Sequence, residues 1–344
     1  MSVDITSYKS EFLSQKYKGR LHPLHHYVFG FADASARLGS ITPALTNFIL
    51  NGPLTSPMIK AIVGVAKERK LPELAAKPYR QSRPKQDETA NVPRSTTGSA
   101  TGKKAAVPVV LWADTWNNYY HPQTLVAAES VLTQAGFRVQ TTKGHICCGR
   151  ALYDFGLLKD AKGYLTKVLD TVAPEIEAGL PFIFLEPSCA SVFKNEALDF
   201  FRDGRLADLA KKMSGQVWLL SDWLAAKAPD WVTGRLKGAQ VLLHGHCHHK
   251  AVFGGPASEI ALLRKAGAAV ELINTTCCGM AGPFGFEADK IEVSKAIANL
   301  GLLPAVNAAP ATTILVADGF SCREQIDQLG HRHAVHFAEI LDQS

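Results

Sequence analysis

The chain has 344 residues, 47% of them hydrophobic, a net charge of +6 and seven cysteines. That length suggests about two domains with ample apolar material for buried cores, and the lack of any uninterrupted run of about 18 apolar residues argues against a membrane span. The charge does not argue for nucleic acid. Arg80, Arg83, Lys85, Arg94, Lys103 and Lys104, against Asp87 and Glu88, place +4 of the +6 in one segment, the pattern of a solvated basic linker. MSVDITSYKSEF has no basic region followed by an apolar run, so no secretory signal is read and a cytoplasmic location is expected. Seven cysteines is an odd count, and in a reducing compartment clustered cysteines more often bind metal or do redox chemistry than form a disulfide framework.

Residues 1–80 read as a helical docking segment. Tyr8, Phe12, Leu13 and Tyr17 recur at helical spacing, and residues 57–70 read as a further helix. His22, His25 and His26 fall in a Pro-containing turn and read as surface or packing residues. Residues 81–106 are mostly Ser, Thr, Gly, Pro, Lys and Gln; with little to bury they cannot offset their conformational entropy and are expected to form a flexible linker.

Beyond the linker an internal repeat divides the chain into units 107–235 and 236–344. In the first, an apolar run 109–112 leads to a helix 124–135 closed by Gly136. A strand-like run 137–141, the triplet Cys147-Cys148-Gly149, a helix 159–172 and a strand 181–185 follow, and Pro187-Ser188-Cys189 opens another helix. The second unit repeats the order: 241–243, a helix 258–266 ending at Gly267, 269–273, Cys277-Cys278-Gly279, a helix 290–300, a strand 313–316, and Gly319-Phe320-Ser321-Cys322 opening the last helices. Strands alternating with helices predict an α/β fold of two repeated βαβ-type cysteine-rich lobes with parallel sheets, related by a pseudo-two-fold axis and preceded by the helical N-terminal segment.

Each thiol of the second unit (Cys247, Cys277, Cys278, Cys322) follows a predicted strand, at the edge where open α/β sheets place their ligands. Four converging thiolates suit an iron–sulfur cluster or zinc. Gly149 and Gly279 permit the sharp turn that two adjacent ligands require, and Gly282 and Gly285 extend the second glycine-rich loop. A vicinal disulfide switch is the other chemistry open to such pairs. The first unit is incomplete: aligning residues 110–116 with 241–247 puts Trp116 where the leading cysteine belongs, leaving Cys147, Cys148 and Cys189. These three could bind zinc with His145 or His121, act as reacting thiols, or remain in a copy kept for its fold. Around Cys247, the residues His244, His246, His248 and His249 are candidates for hydrogen bonds to sulfur, ligation or proton transfer. His145, Arg150 and Arg323 stand beside the other motifs, where an arginine could hold an anionic acceptor or pair with a carboxylate. No residue is assigned a catalytic role. Gly-x-Gly-x-x-Gly, a Walker loop, Gly-x-Ser-x-Gly and a ferredoxin-type Cys run are all missing, so any flavin is expected on a partner chain.

HICCGRALYDFGLL…LEPSC and HGHCHHK…TTCCGMAGPFG…DGFSC resemble the cysteine-rich (CCG) domain family over residues 107–342. That family includes the CCG-bearing subunit of heterodisulfide reductase, the iron–sulfur subunits of glycolate oxidase and anaerobic glycerol-3-phosphate dehydrogenase, and the lactate-utilisation proteins. The closer resemblance is to the C-terminal part of fused FAD-linked D-lactate and D-2-hydroxyglutarate dehydrogenases. VDITSYKSEFLSQKYKGRLHP is similar to the stretch that follows their ferredoxin-like cysteines, and DTWNNYYHP to their first unit, which also lacks a leading cysteine. The resemblance implies cluster ligation by Cys247, Cys277, Cys278 and Cys322. Gly319 stands where heterodisulfide reductase has the first thiol of a Cys-x-x-Cys pair, which implies an ordinary [4Fe–4S] cluster or zinc in place of that enzyme's noncubane cluster. It further implies an iron–sulfur subunit or fragment that passes electrons from a flavoprotein dehydrogenase to a quinone, redox carrier or disulfide acceptor. A thiol/disulfide reductase acting at the lobe interface and a zinc-stabilised interaction module without redox role are the alternatives.

Overall fold

The computed structural model describes residues 5–83, 106–229, 231, 234 and 236–342. Of the expected linker, residues 84–105 lie outside the described residues. Two four-stranded sheets form the framework. The first contains β1 (Pro108–Leu111), β2 (Arg138–Thr141), β3 (Phe182–Phe184) and β4 (Val217–Leu219) in the order β2-β1-β3-β4. The second contains β5 (Gln240–His244), β6 (Ala269–Leu272), β7 (Ile314–Ala317) and β8 (Ala334–Val335) in the order β6-β5-β7-β8. Every pairing is parallel, with Val109 beside Val139 and Val241 beside both Val270 and Ile314. The mixed α/β architecture with two parallel sheets and a helical N-terminal segment is the one expected from the repeat. The central strands read as unbroken apolar runs because parallel strands are covered on both faces.

The units share one core. Val109, Leu111 and Ile183 of the first sheet belong to the same buried cluster as Val241, Leu243 and Val316 of the second. Thr124 Oγ1 donates to Glu339 Oε1 (2.6 Å) across the seam between helices Pro122–Gln134 and Phe337–Leu341. On the far face of the first sheet, Trp112 stacks on Phe184 at 5.0 Å and packs on Phe193 at 5.2 Å. Burying such side chains contributes about 1.5–3 kcal/mol each. On the far face of the second sheet, Leu242, Leu315 and Ala317 pack with Cys278 and Cys322, so the candidate ligands are part of that core.

The N-terminal segment forms helices Ile5–Lys16, Leu24–Gly30, Ala32–Gly39, Pro43–Asn51 and Ser56–Val63. The helix expected over 57–70 stops at Val63, because Gly64 adopts a left-handed conformation (φ +76°) and caps it. The chain then runs non-helically to Pro78, its backbone held by the amides of Asn47 and Asn51 at Leu74 and Leu71. The segment clamps both units: Tyr153 donates to Ser7 Oγ (2.8 Å), Thr115 to Asp33 Oδ1 (2.7 Å), and Val65 bridges Glu287. Its outer face leaves Leu38, Ile41, Phe48 and Leu54 at least 66% exposed. No helix among the described residues is long and apolar enough to cross a membrane.

Candidate metal centre

Strands β6, β5 and β7 are neighbours, so the loops at their C-terminal ends lie side by side. Cys247 follows β5 and opens helix Cys247–Val252, capped by His246, whose Nδ1 accepts from the His248 N–H (3.1 Å). Cys277-Cys278-Gly279 follows β6, and Cys322 sits in the first turn of helix Phe320–Gly330 after β7. The four thiols interact in order, Cys247 with Cys277, Cys277 with Cys278 and Cys278 with Cys322, and of these pairs Cys278 and Cys322 have their sulfurs within 4.8 Å. Interaction with Cys247 and Cys278 pulls Cys277 well below the usual thiol range, and Cys278, with His244 and His246, does the same for Cys322. Cys247 and Cys278 are pushed up by the same interactions and by burial. The Gly279 N–H also donates to Cys277 Sγ (3.3 Å).

The histidine run divides into separate roles. Sulfurs of Cys278 and Cys322 and a ring nitrogen of His244 lie within 4.8 Å of one another, as do the donor atoms of His246, Cys247 and His248. His244 is 1% exposed, and its ring nitrogens meet no oxygen or nitrogen partner, Cys322 being the group they interact with. A buried imidazole with one ring nitrogen within 4.8 Å of two sulfurs fits a bound soft-metal group, and the donor set suits an iron–sulfur cluster or zinc. His248 is 3.6 Å from Cys247 Sγ, and burial, then Arg150 and His246, hold its pKa down to about 2. His246 Nε2 stands 3.8 Å from Glu186 of the first unit. His249 turns elsewhere, its Nδ1 3.0 Å from Glu259 Oε1 and its Nε2 3.9 Å from Asp222. Gly319, at the position of the missing thiol, has a steric explanation: a Cβ there would fall inside 3.0 Å of the His246 ring.

Arg150 pairs with Asp154 (3.1 Å) and Glu196. Arg323 donates to the carbonyls of Ala317 (3.0 Å) and Asp318 (2.6 Å) and to Asn117 Oδ1 (3.2 Å), bracing one unit on the other. His145 Nε2 is 2.5 Å from Asp33 Oδ1.

In the first unit Cys148 Sγ donates to Cys189 Sγ at 3.3 Å. Its bond to Cys148, with burial, pushes Cys147 up. Cys189, although it accepts from Cys148, is pushed to about 12 by burial and by Asp114 and Glu186. Burial raises all three first-unit thiols, with Asp33 adding to the shift at Cys147 and Asp114 and Glu186 at Cys189, where histidines act on Cys322 of the second set. Among the described residues, no three-donor group includes them. Trp116, in the leading position, stacks on Phe320 (4.7 Å), and His121 packs on the same ring (5.3 Å) instead of joining the thiols. Cys147 opens into a cavity of about 510 Å³ lined by Asp33, Arg37, Tyr164 and Lys167, beneath the N-terminal segment. The cleft between the units is lined instead by Cys247, with Trp116, Glu186 and Phe320.

Sequence reasoning missed several supporting residues. Glu186 accepts from the Phe320 N–H (2.7 Å) and from Ser188 Oγ (2.8 Å), tying the Cys189 helix to the Cys322 helix. An acid just before Pro187 was a legible capping signal. Lys250 donates to Thr275 O, with Cys247, Cys277 and Cys322 among the charges around it. Arg69 and Gln325, which meet behind the Cys278 loop, carry no local signal.

Fold and site together define a cysteine-rich, two-unit protein, and its relatives are oxidoreductase-related. The chain is similar to D-2-hydroxyglutarate dehydrogenase of Escherichia coli (strain K12), 26% identical over 339 residues, covering 97% of this chain and 32% of that protein. It is similar to one subunit of the anaerobic glycerol-3-phosphate dehydrogenase of Escherichia coli (strain K12), 24% identical over 326 residues (90% of this chain, 80% of that one). Lactate utilization protein A of Bacillus subtilis (strain 168) matches at 27% over 169 residues, 48% of this chain and 69% of that one. The chain spans about a third of the length of the D-2-hydroxyglutarate dehydrogenases it matches. These relatives carry CCG domains and are the kinds of protein that the Cys-Cys-Gly motifs resemble, so that resemblance is borne out. No family model matches the chain.

Proposed function

We propose that this chain is an iron–sulfur electron-transfer module of a flavin-dependent 2-hydroxy-acid oxidoreductase, with Cys247, Cys277, Cys278 and Cys322 holding one cluster of the [4Fe–4S] type. The observation that carries this reading is the convergence of four cysteines at the ends of three adjacent strands, with Cys278, Cys322 and a ring nitrogen of buried His244 within 4.8 Å of one another. Such a cluster, when bound, supplies one-electron acceptance and donation. The protein's own part is to fix and tune. The Gly279 N–H offers a hydrogen bond to ligand sulfur, His244 and His246 face the Cys322 side, and Lys250 adds positive charge. Cys247, half-buried, and Cys278 line the cleft between the units, where an acceptor could approach.

The first relative is named for a 2-hydroxy acid, and FAD on a flavoprotein partner is the proposed electron source. A quinone, a redox carrier or a disulfide is the proposed acceptor, and the cytoplasm the proposed location. The exposed apolar face of residues 1–80 suits docking of the partner. Units 107–235 and 236–344 are the proposed division, the first a degenerate copy kept for its fold. The 3.3 Å approach of Cys148 to Cys189 favours a thiol/disulfide reductase as the second reading. The raised pKa of all three first-unit thiols weighs against it.

The test is iron, sulfide and zinc analysis with UV–visible and EPR spectra of anaerobically reconstituted protein beside Cys277→Ser. A broad band near ~400 nm, with iron and sulfide lost in the variant, is expected. Stoichiometric zinc without iron, or no metal after reconstitution, overturns the proposal.

A further inference from the structure

Arg69 lies in the non-helical stretch after Gly64 and is 0% exposed. Its Nε donates to Gly285 O (2.8 Å), and its Nη2 to Gln325 Oε1 (2.6 Å) and Ser294 Oγ (3.3 Å). Nη1 has no hydrogen-bond partner, and the guanidinium carbon lies 5.8 Å from the centre of the Phe286 ring. Every one of these partners is neutral, and among the described residues no carboxylate pairs with this guanidinium. A buried charge without a counter-ion is costly, and breaking water's hold on a guanidinium needs compensation from somewhere.

The surroundings indicate where that compensation comes from. Gln325 accepts from Arg69 and, through Nε2, donates to the carbonyl of Cys278 (2.9 Å), so the arginine is one side chain removed from a candidate ligand's backbone. Cys278, Met280 and Phe286 share a single buried cluster, so the fully buried charge and the Cys-Cys-Gly loop lie in a low-dielectric surrounding where screening is weak. Burial disfavours the charged guanidinium, and the more distant charges of Glu68 and Glu324, then that of Cys278, favour it; of these three only Cys278 belongs to the centre. Gly285 and Ser294, the other acceptors, flank the same loop.

We infer that Arg69 is the built-in counter-charge of the thiolate-ligated centre. Through it the N-terminal segment, remote in sequence from every ligand, raises the reduction potential and helps retain the cluster. This rests on the cluster reading above. Four thiolates leave a [4Fe–4S] centre net negative, and the added electron increases that charge, so a fixed positive group in the same low-dielectric core favours the reduced form. Arg69 is a positioning and tuning residue, since its bonds reach Cys278 only through Gln325.

The test is an anaerobic redox titration followed by UV–visible and EPR spectra on the full reconstituted chain, comparing wild type with Arg69→Gln and Arg69→Lys. Arg69→Gln is expected to lower the reduction equilibrium constant about tenfold or more, 59 mV for one electron. Arg69→Lys, which keeps the charge, is expected to stay within about threefold of wild type. An iron-loaded Arg69→Gln with an unshifted midpoint overturns the inference, as does a lysine variant that falls as far as the glutamine one. Should Arg69→Gln fail to fold, the near-isosteric Gln325→Glu sets a carboxylate against Nη2. It is expected to lower the midpoint likewise, and an unchanged midpoint there also overturns the inference. Absence of iron from the wild-type protein overturns both this inference and the functional reading, whereas an iron-loaded protein whose potential ignores Arg69 overturns this inference alone.

Discussion

Gly149 and Gly279 occupy the same place in the two Cys-Cys-Gly triplets, yet alanine is expected to affect them very differently. Both adopt left-handed backbone, φ +76° and +88°, so a Cβ costs about 1–2 kcal/mol at either position. The surroundings separate them. At Gly149 the first atom met is Tyr164 Cβ at 3.2 Å, a neighbour that can give by a few tenths of an ångström. At Gly279 the new methyl falls inside 3.0 Å of the Ser294 carbonyl oxygen, with Ala298 N at 3.1 Å, and helix backbone cannot rotate out of the way. Overpacking of that kind adds about 1–3 kcal/mol. Gly279→Ala is therefore expected to cost about 2–5 kcal/mol and Gly149→Ala about 1–2 kcal/mol. The assay is urea unfolding of the reduced, metal-free chain, comparing midpoints at unchanged slope, together with iron retention after reconstitution. Only Gly279→Ala should lose iron. Equal losses of stability, or a larger loss at Gly149, would refute the reasoning that backbone contact decides the cost.

Further expectations concern acid sensitivity and the seam. Burial, then His25 and His22, hold His26 down to about 3. The unfolded chain takes up a proton near pH 6.5 while the folded one does not, so the stability contributed is complete above 6.5 and declines as pH falls toward 3. The urea midpoint should drop between pH 7.5 and 5, and less so in His26→Asn; identical slopes in the two proteins would contradict this. Glu186→Gln leaves one acceptor oxygen where Phe320 N–H and Ser188 now bind two, and should lower stability by about 1–2 kcal/mol in thermal unfolding. Trp116→Ala removes the ring stacked on Phe320 and should cost about 2–3 kcal/mol with iron content unchanged, whereas loss of iron would make Trp116 part of the centre.

The repeat was legible because parallel strands and helix ends write strong local signals. The runs at 109–112 and 241–243 are apolar throughout, and Gly136 and Gly267 take the positive φ that their positions after a helix demand. Strands β4 and β8, of three and two residues, are too short for any periodicity to mark them. The thiols could be read from their pairing with glycine, but the division of labour within HGHCHHK could not. His244 ends β5 beside sulfur, while His249, on the following helix, faces Glu259, a partner set by tertiary packing. The helix expected over 57–70 ran past its signal: Gly64 lay in plain view, but an isolated glycine in an apolar periodic stretch reads equally as a tolerated interior residue. Arg69 was invisible because all its partners lie at least 216 residues away.

That separation also has a cost in time during biosynthesis. Arg69 leaves the ribosome 256 residues before Gln325, which at about 5–20 residues per second is a wait of about 13–50 s. Val65 waits nearly as long for Glu287. Through that interval the first five helices can close on the first unit alone, and the faces that meet the second unit stay available to chaperones or to neighbouring nascent chains. The yield of folded protein should therefore track how quickly the C-terminal unit is translated, and slow codons in the last third of the message should reduce it more than slow codons near the start.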